Sequence, residues 1–271
     1  SETVHPQRHT RLLARLDVNG DGDIDYYFSR WTEILSDLGD EYSDQERFFR
    51  QNYNAFRKKL NAPFLKGDRQ YPLGTIATRS TMLDIYEKII TKDPVAALDE
   101  LTENAAIYAG IILNKTDTLS DEQRESYLDL QRVQGAPSYL FIMYLIKHQE
   151  SLGVTDEDVV KICKLLVNFF IRRNLTDTPP TRDLTRIFMS FIEATEQNEY
   201  CGADIYTNMR DTLISVSASD EFFEEKLRGP VYDDNSGATR FILCMMAKRG
   251  MTRENVQDLW RKTNSNQYVL I

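Results

Sequence analysis

The chain has 271 residues, 42 of them acidic and 33 basic, for a formal net charge of −9, and it is 41% hydrophobic and 28% charged. This is the composition of a globular protein that buries a core without disulfide or metal staples, and no apolar run reaches the roughly 18–20 residues that a membrane-spanning helix needs. The acidic balance excludes coating of nucleic acid by bulk charge, so any DNA contact must come from a local basic patch.

From the N-terminus, Ser1 to Thr10 is polar and carries no signal-peptide apolar stretch. The first patterned segment is Leu16-Asp17-Val-Asn19-Gly-Asp21-Gly22-Asp23-Ile24-Asp25-Tyr-Tyr-Phe28, which matches the first nine positions of an EF-hand calcium loop. Asp17, Asn19 and Asp21 would supply side-chain oxygens, Gly22 the sharp turn, Asp23 a carbonyl and Asp25 a direct or water-mediated contact. Leu12, Leu13 and Leu16 would lie on the entering helix. The last position, where a bidentate glutamate belongs, is Phe28, so any Ca2+ site here is degenerate and weak. The alternative is an Asx- and Gly-rich turn capping the helix that carries Tyr27, Ile34 and Leu35.

Helix follows helix. One is predicted at 26–38, and the capping box Ser43-Asp-Gln-Glu46 opens another along Phe48, Phe49, Asn52, Tyr53, Phe56 and Leu60. A helix at 80–91 precedes Asp93-Pro94, a cap with proline at the first helical position, where its missing N–H costs nothing. Pro94, Leu98, Leu101, Ala105, Tyr108 and Ile112 then trace one apolar stripe, ending at the polar link Asn114 to Leu119. Ser120-Asp-Glu-Gln123 is a second box, leading into Tyr127, Leu128 and Leu130, and a helix at 137–150 comes next. Thr155-Asp-Glu-Asp158, a third box with Asp in place of Glu, opens a run that is apolar nearly all round from Val159 to Ile171. Too short to cross a bilayer, it reads as the central buried helix. Thr178-Pro179-Pro180 starts a second deep helix with the stripe Leu184, Ile187, Phe188, Phe191 and Ile192. Helices at 203–216, 219–228, 238–249 and 252–262 follow, with a soft point rich in Gly, Pro, Asp and Asn at Arg228 to Gly237.

Period-two alternation and hairpin signals are almost absent. The fold class is therefore all-α, a multi-helix bundle of about ten to twelve helices with little or no sheet. It is either one domain over 1–271 or two helical subdomains, 1–115 and 120–271.

Signals of chemistry are sparse. The histidines His5, His9 and His148 do not cluster, and His148 ends a helix, where positive charge suits the dipole. Cys163, Cys201 and Cys244 are scattered, which fits reduced thiols in a cytoplasmic protein rather than zinc ligands. No HExxH, GxSxG, Walker A or GxGxxG pattern occurs, and no catalytic residue is assigned. The carboxylate pairs Glu193/Glu196 and Asp220/Glu224 read as solvated charge. Four arginines stand out. Arg172 and Arg173 end the 159–171 helix, and Arg182 and Arg186 lie one turn apart on the next, off its apolar stripe. They read either as helix-end compensation for Asp177 and Asp183 or as a phosphate-binding patch, since guanidinium forks suit phosphate oxygens.

The stretch Phe169-Phe-Ile-Arg-Arg-Asn-Leu-Thr-Asp-Thr-Pro-Pro-Thr-Arg-Asp-Leu-Thr-Arg-Ile-Phe-Met189 resembles a distinctive part of the GmrSD-like family, bacterial modification-dependent (type IV) restriction endonucleases and related phage-defence proteins. Asp220-Glu-Phe-Phe-Glu-Glu-Lys-Leu227, Val231-Tyr232, Arg240-Phe-Ile-Leu243 and Asp258-Leu-Trp260 are similar to the family's helical segment running toward its nuclease. Tyr27-Phe-Ser-Arg-Trp31 and Gln45-Glu-Arg-Phe-Phe-Arg50 through Tyr53 are similar to the start of that segment.

The resemblance implies a parent with a ParB-like, nucleotide-handling N-terminal domain, a helical middle and a C-terminal HNH nuclease. Neither catalytic motif occurs in this chain, and Pro6-Gln7-Arg8 is a fragmentary echo of the first. The chain opens on Ser1 and stops in the apolar Gln267-Tyr-Val-Leu-Ile271, where the family continues into the HNH motif, so it reads as a segment of something longer. The expectation is a non-catalytic scaffold in the bacterial cytoplasm that couples nucleotide state at one end to cleavage at the other. The implied partners are the flanking domains and DNA, with no membrane; nucleotide and divalent metal belong to those flanking domains. The alternative is a stand-alone helical module using the Asp17–Asp25 loop for calcium.

Overall fold

The computed structural model describes residues 21–113, 117–251 and 259–260. Every regular element among them is a helix, as the missing period-two pattern predicts, and none of the described residues is in a strand. In chain order they are α1 (Asp21–Leu38), α2 (Tyr42–Asn61), α3 (Met82–Lys92), α4 (Pro94–Tyr108), α5 (Asp121–Arg132), α6 (Tyr139–Lys147), α7 (Gln149–Leu152), α8 (Asp156–Thr176), α9 (Thr181–Gln197), α10 (Ala203–Val216), α11 (Asp220–Leu227), α12 (Val231–Asp234) and α13 (Ser236–Gly250). The helix predicted at 252–262 lies outside the described residues except for Leu259 and Trp260.

Local chemistry sets several of the starts. Ser120 Oγ accepts from the Gln123 N–H at 3.2 Å while Gln123 Oε1 accepts from the Ser120 N–H at 2.9 Å, so that box closes. The Thr155–Asp158 box closes in the same way, and Asp93 Oδ1 accepts from the Ala96 N–H at 3.0 Å. The Ser43 box does not form. Helix α2 begins at Tyr42 with Glu41 at its cap, which places Ser43 inside the first turn. Glu46 is taken by tertiary partners instead, pairing with Arg50 at 2.5 Å and Arg79 at 2.7 Å. The stripe expected to reach Ile112 also changes character. The α-helical turns stop at Tyr108, and a π-turn over Ala109–Leu113 hands the Ile112 carbonyl to Gln131 Nε2 at 2.5 Å.

The element buried on every side is α6, whose residues Tyr139 to Leu145 each expose 6% or less. Helices α2, α4, α8 and α9 all pack on it. The apolar run expected to be central, α8, is two-faced: it buries Val159, Ile162, Cys163, Leu166 and Phe170 but exposes Lys161, Lys164 and Asn168. Those polar positions recur about once per turn, so a mostly apolar run still presents a wet stripe. Around this centre α1 lies on α4, α5 on α8, α10 and α11 on α8, and α13 on α5 and α8. A single apolar cluster joins Trp31, Phe48 and Leu98, before the 114–119 link, to Tyr127, Phe141, Phe170 and Phe188 beyond it.

A buried polar ladder threads this core. Lys147 Nζ donates to Glu100 Oε1 at 2.7 Å, Glu103 Oε2 at 2.9 Å and Asn104 Oδ1 at 2.7 Å, which uses all three of its protons. Asn104 donates to Asn52 at 2.7 Å, Asn52 to the Tyr86 hydroxyl at 2.8 Å, and that hydroxyl to the Phe49 carbonyl at 2.9 Å. Nearby, α2 departs from helical geometry at Phe56. Its last turns hold the irregular 65–81 segment by side chain. Asn61 Oδ1 accepts from the Leu73 N–H at 2.9 Å, Asn54 Oδ1 from the Ala77 N–H at 2.8 Å, and Arg57 donates to the Thr75 carbonyl at 2.5 Å.

Candidate nucleic-acid interface and the cleft beside it

The structure divides the four arginines into two pairs. Arg172 donates to the Ala218 carbonyl at 3.0 Å, pairs with Asp220 at 2.5 Å and lies 4.7 Å over the Phe223 ring, so it fastens α11 onto α8. Arg173, with its side chain 13% exposed, donates to the Pro179 carbonyl at 3.1 Å and to Thr181 Oγ1 at 2.6 Å, and pairs with Asp177 at 3.4 Å. It closes the turn between α8 and α9. These guanidiniums are occupied by the fold.

Arg182 and Arg186 stand differently. The Arg182 side chain is 85% exposed and, among the described residues, pairs only with Asp183, at 3.9 Å. Arg186 is exposed and has no ion-pair partner among the described residues. They sit one turn apart at the start of α9, whose cap position is Pro180 with no side-chain cap. An uncapped start leaves N–H groups and the positive end of the helix dipole beside these arginines. The two carboxylates sharing this hairpin, Asp177 and Asp183, keep it a local pair of forks rather than a broad basic field.

Of the calcium-loop residues, Asp17 and Asn19 lie outside the described residues. Asp21, Asp23 and Asp25 fall in the first turns of α1, so the backbone from Asp21 onward is helical. An EF-hand loop instead turns sharply at its glycine and continues extended before the exiting helix. Among the described residues no group of three His, Cys, Asp or Glu side chains is placed to hold a metal ion.

The C-terminal half of α9 borders a cleft of about 320 Å³, shared with the ends of α2 and α6 and with Tyr71. Here Glu193 and Glu196, read from sequence as solvated charge, are held by α2. Arg57 pairs with Glu193 while lying 4.3 Å over the Tyr71 ring, and Lys58 pairs with Glu196 at 2.9 Å. Asp220 likewise is taken by Arg172, and Glu224 pairs with Arg228 at 3.4 Å.

On the facing wall the His148 ring lies 4.8 Å from Tyr144 and 6.2 Å from Phe56, centroid to centroid. Neither the His148 imidazole nor the Tyr144 hydroxyl has a hydrogen-bond partner among the described residues. Burial, with the nearby Glu196 charge, pushes the Tyr144 phenol up to about 12. Burial, and then the Lys147 charge, lowers His148 below the ordinary 6.5. At neutral pH the wall therefore offers a phenol donor and an uncharged imidazole with one donor and one acceptor.

Sequence reasoning passed over this cleft. Tyr144 and His148 are one turn apart, as are Glu193 and Glu196, but nothing local says that the two pairs face each other. Comparison of the chain with protein-family models, with curated proteins and with solved structures finds no match.

Proposed function

We propose that this chain is the non-catalytic helical scaffold and coupling region of a GmrSD-like, modification-dependent restriction endonuclease of phage defence, and that it touches DNA phosphates through Arg182 and Arg186. The observation that carries the reading lies in the stretch 169–189, whose sequence resembles that family: it presents two exposed guanidiniums with little or no partner among the described residues beside an uncapped helix start. Guanidinium forks at such a place give salt-dependent affinity without reading base sequence. Helix α9 also packs on the buried α6, so a displacement at the DNA-facing end would be felt in the core, which is what coupling through helix packing requires.

The test is DNA binding by the chain together with its flanking domains, measured by fluorescence anisotropy across a salt series. Arg182→Ala with Arg186→Ala is expected to weaken binding and to lower the slope of log K against log salt by about 2. An unchanged slope would return both arginines to a surface role. Cleavage of modified DNA by the 271-residue chain alone would overturn the non-catalytic assignment.

A further inference from the structure

The cleft at the C-terminal half of α9 contains polar groups that the fold does not use. The Tyr144 hydroxyl and the His148 imidazole have no hydrogen-bond partner among the described residues. At the rim Lys58 and Lys59 are 71% and 64% exposed, and each gives one of its three protons to a carboxylate, Lys58 to Glu196 and Lys59 to Glu100. Phe56, Tyr71, Met189 and Ile192 add ring and hydrocarbon surface, while the other charged groups of the lining, Arg57, Lys147, Glu193 and Glu196, are paired within the fold. We propose that this cleft binds a small planar heteroaromatic molecule carrying one anionic group, the chemistry of a nucleoside monophosphate or an aromatic carboxylate.

Each part of that description answers an observation. A volume of about 320 Å³ lies at the small end of ligand sites, which run from roughly 300 to 1,000 Å³. A ring slides between aromatic and thioether walls, where stacking and burial both favour it. The spare groups are mainly donors: the phenol proton, one imidazole N–H and the unused ammonium protons of Lys58 and Lys59. A ligand rich in acceptors satisfies them, whereas a purely apolar one would seal the phenol and imidazole away unpaired. An organic cation finds the two carboxylates of the cleft, Glu193 and Glu196, already neutralised by Arg57 and Lys58. The inference goes beyond the proposed DNA contact, which lies at the opposite end of α9 and does not depend on this cleft.

Three histidines in the chain make the imidazole a convenient reporter. The full 271-residue chain is titrated with adenosine monophosphate and, separately, with indole-3-acetate, following the His148 ring resonances by NMR. His148→Gln identifies them. Saturable shifts with either anion support the site, and which anion saturates assigns the source as phosphate or carboxylate. Adenosine and inorganic phosphate, each lacking half of the chemistry, should bind at least about five-fold more weakly. Tyr144→Phe keeps the ring packing and removes only the spare hydroxyl. It should leave the melting temperature unchanged and weaken the anion by about five-fold. Lys58→Ala with Lys59→Ala should erase the preference for adenosine monophosphate over adenosine. No saturable shift at millimolar concentration of either anion overturns the proposal. So does equal binding by Tyr144→Phe, or adenosine binding as tightly as its monophosphate.

Discussion

Lys147 shows what a single residue does once the fold surrounds it. In sequence it is one lysine near the end of a predicted helix. In the structure its side chain is 8% exposed and its ammonium is satisfied by Glu100, Glu103 and Asn104. Truncation leaves Glu100 with Lys59 alone and removes the polar tie between α6 and α4. Lys147→Ala is therefore expected to cost about 3 kcal/mol in urea unfolding, the scale for breaking a buried pair. The same site carries a pH signature. Burial pushes Glu100 up, but the hydrogen bonds from Lys147 and Lys59 outweigh it and hold the carboxyl below the ordinary 4.5. A folded-state value below the unfolded one adds stability that is present above about 4.5 and lost as pH falls through the folded value. Glu100→Gln should flatten that acid limb of the stability curve.

His148 acts in an earlier window. Burial comes first among its causes; Lys147 and Lys59 also lower it, against opposing pulls from Glu196 and Glu100. The unfolded chain therefore takes up this proton more readily, and the folded state loses stability as pH falls below the unfolded value of about 6.5. The expected result is a melting temperature that declines from about pH 7 to about pH 5 in the wild type and declines less in His148→Gln.

At the scale of elements, start signals are local and separable. The Ser120 box is closed, so Ser120→Ala should cost about 1 kcal/mol. Ser43 sits inside the first turn of α2 without a capping bond, and Ser43→Ala should stay within about 0.5 kcal/mol. Unequal losses in parallel urea curves check the pair; equal losses would put Ser43 at the α2 cap, with Asp44 rather than Tyr42 as the first helical residue. The contrast has a plain cause. A capping box is decided within four residues, whereas Glu46 was withdrawn from its box by Arg79, more than thirty positions away. The same logic separates the arginines. Arg173 closes a turn with carbonyl, hydroxyl and carboxylate partners, so Arg173→Ala should lower stability while Arg182→Ala does not.

For the whole molecule, the continuous core across the 114–119 link makes a specific demand. The two tryptophans report from opposite sides of it, Trp31 buried against Phe49 and Trp260 beside Phe241 and Arg132. Trp31→Phe and Trp260→Phe each leave one reporter. Both variants should show fluorescence transitions that coincide with loss of helical circular dichroism, the mark of one cooperative unit. Transitions separated between the two reporters would instead divide the chain at the link.

The helical class, the Asp93, Ser120 and Thr155 starts, and the stripe of α9 could be read from the chain alone, because caps and a 3.6-residue period are properties of neighbours in sequence. Tertiary structure decided everything that depends on which faces meet. It made α6 rather than α8 the centre, tied Arg172 and Arg173 into the scaffold while leaving Arg182 and Arg186 to solvent, and drew Glu193 and Glu196 onto α2 opposite His148 and Tyr144. Burial and charge pairing are sums over residues distant along the chain, and no local pattern carries them.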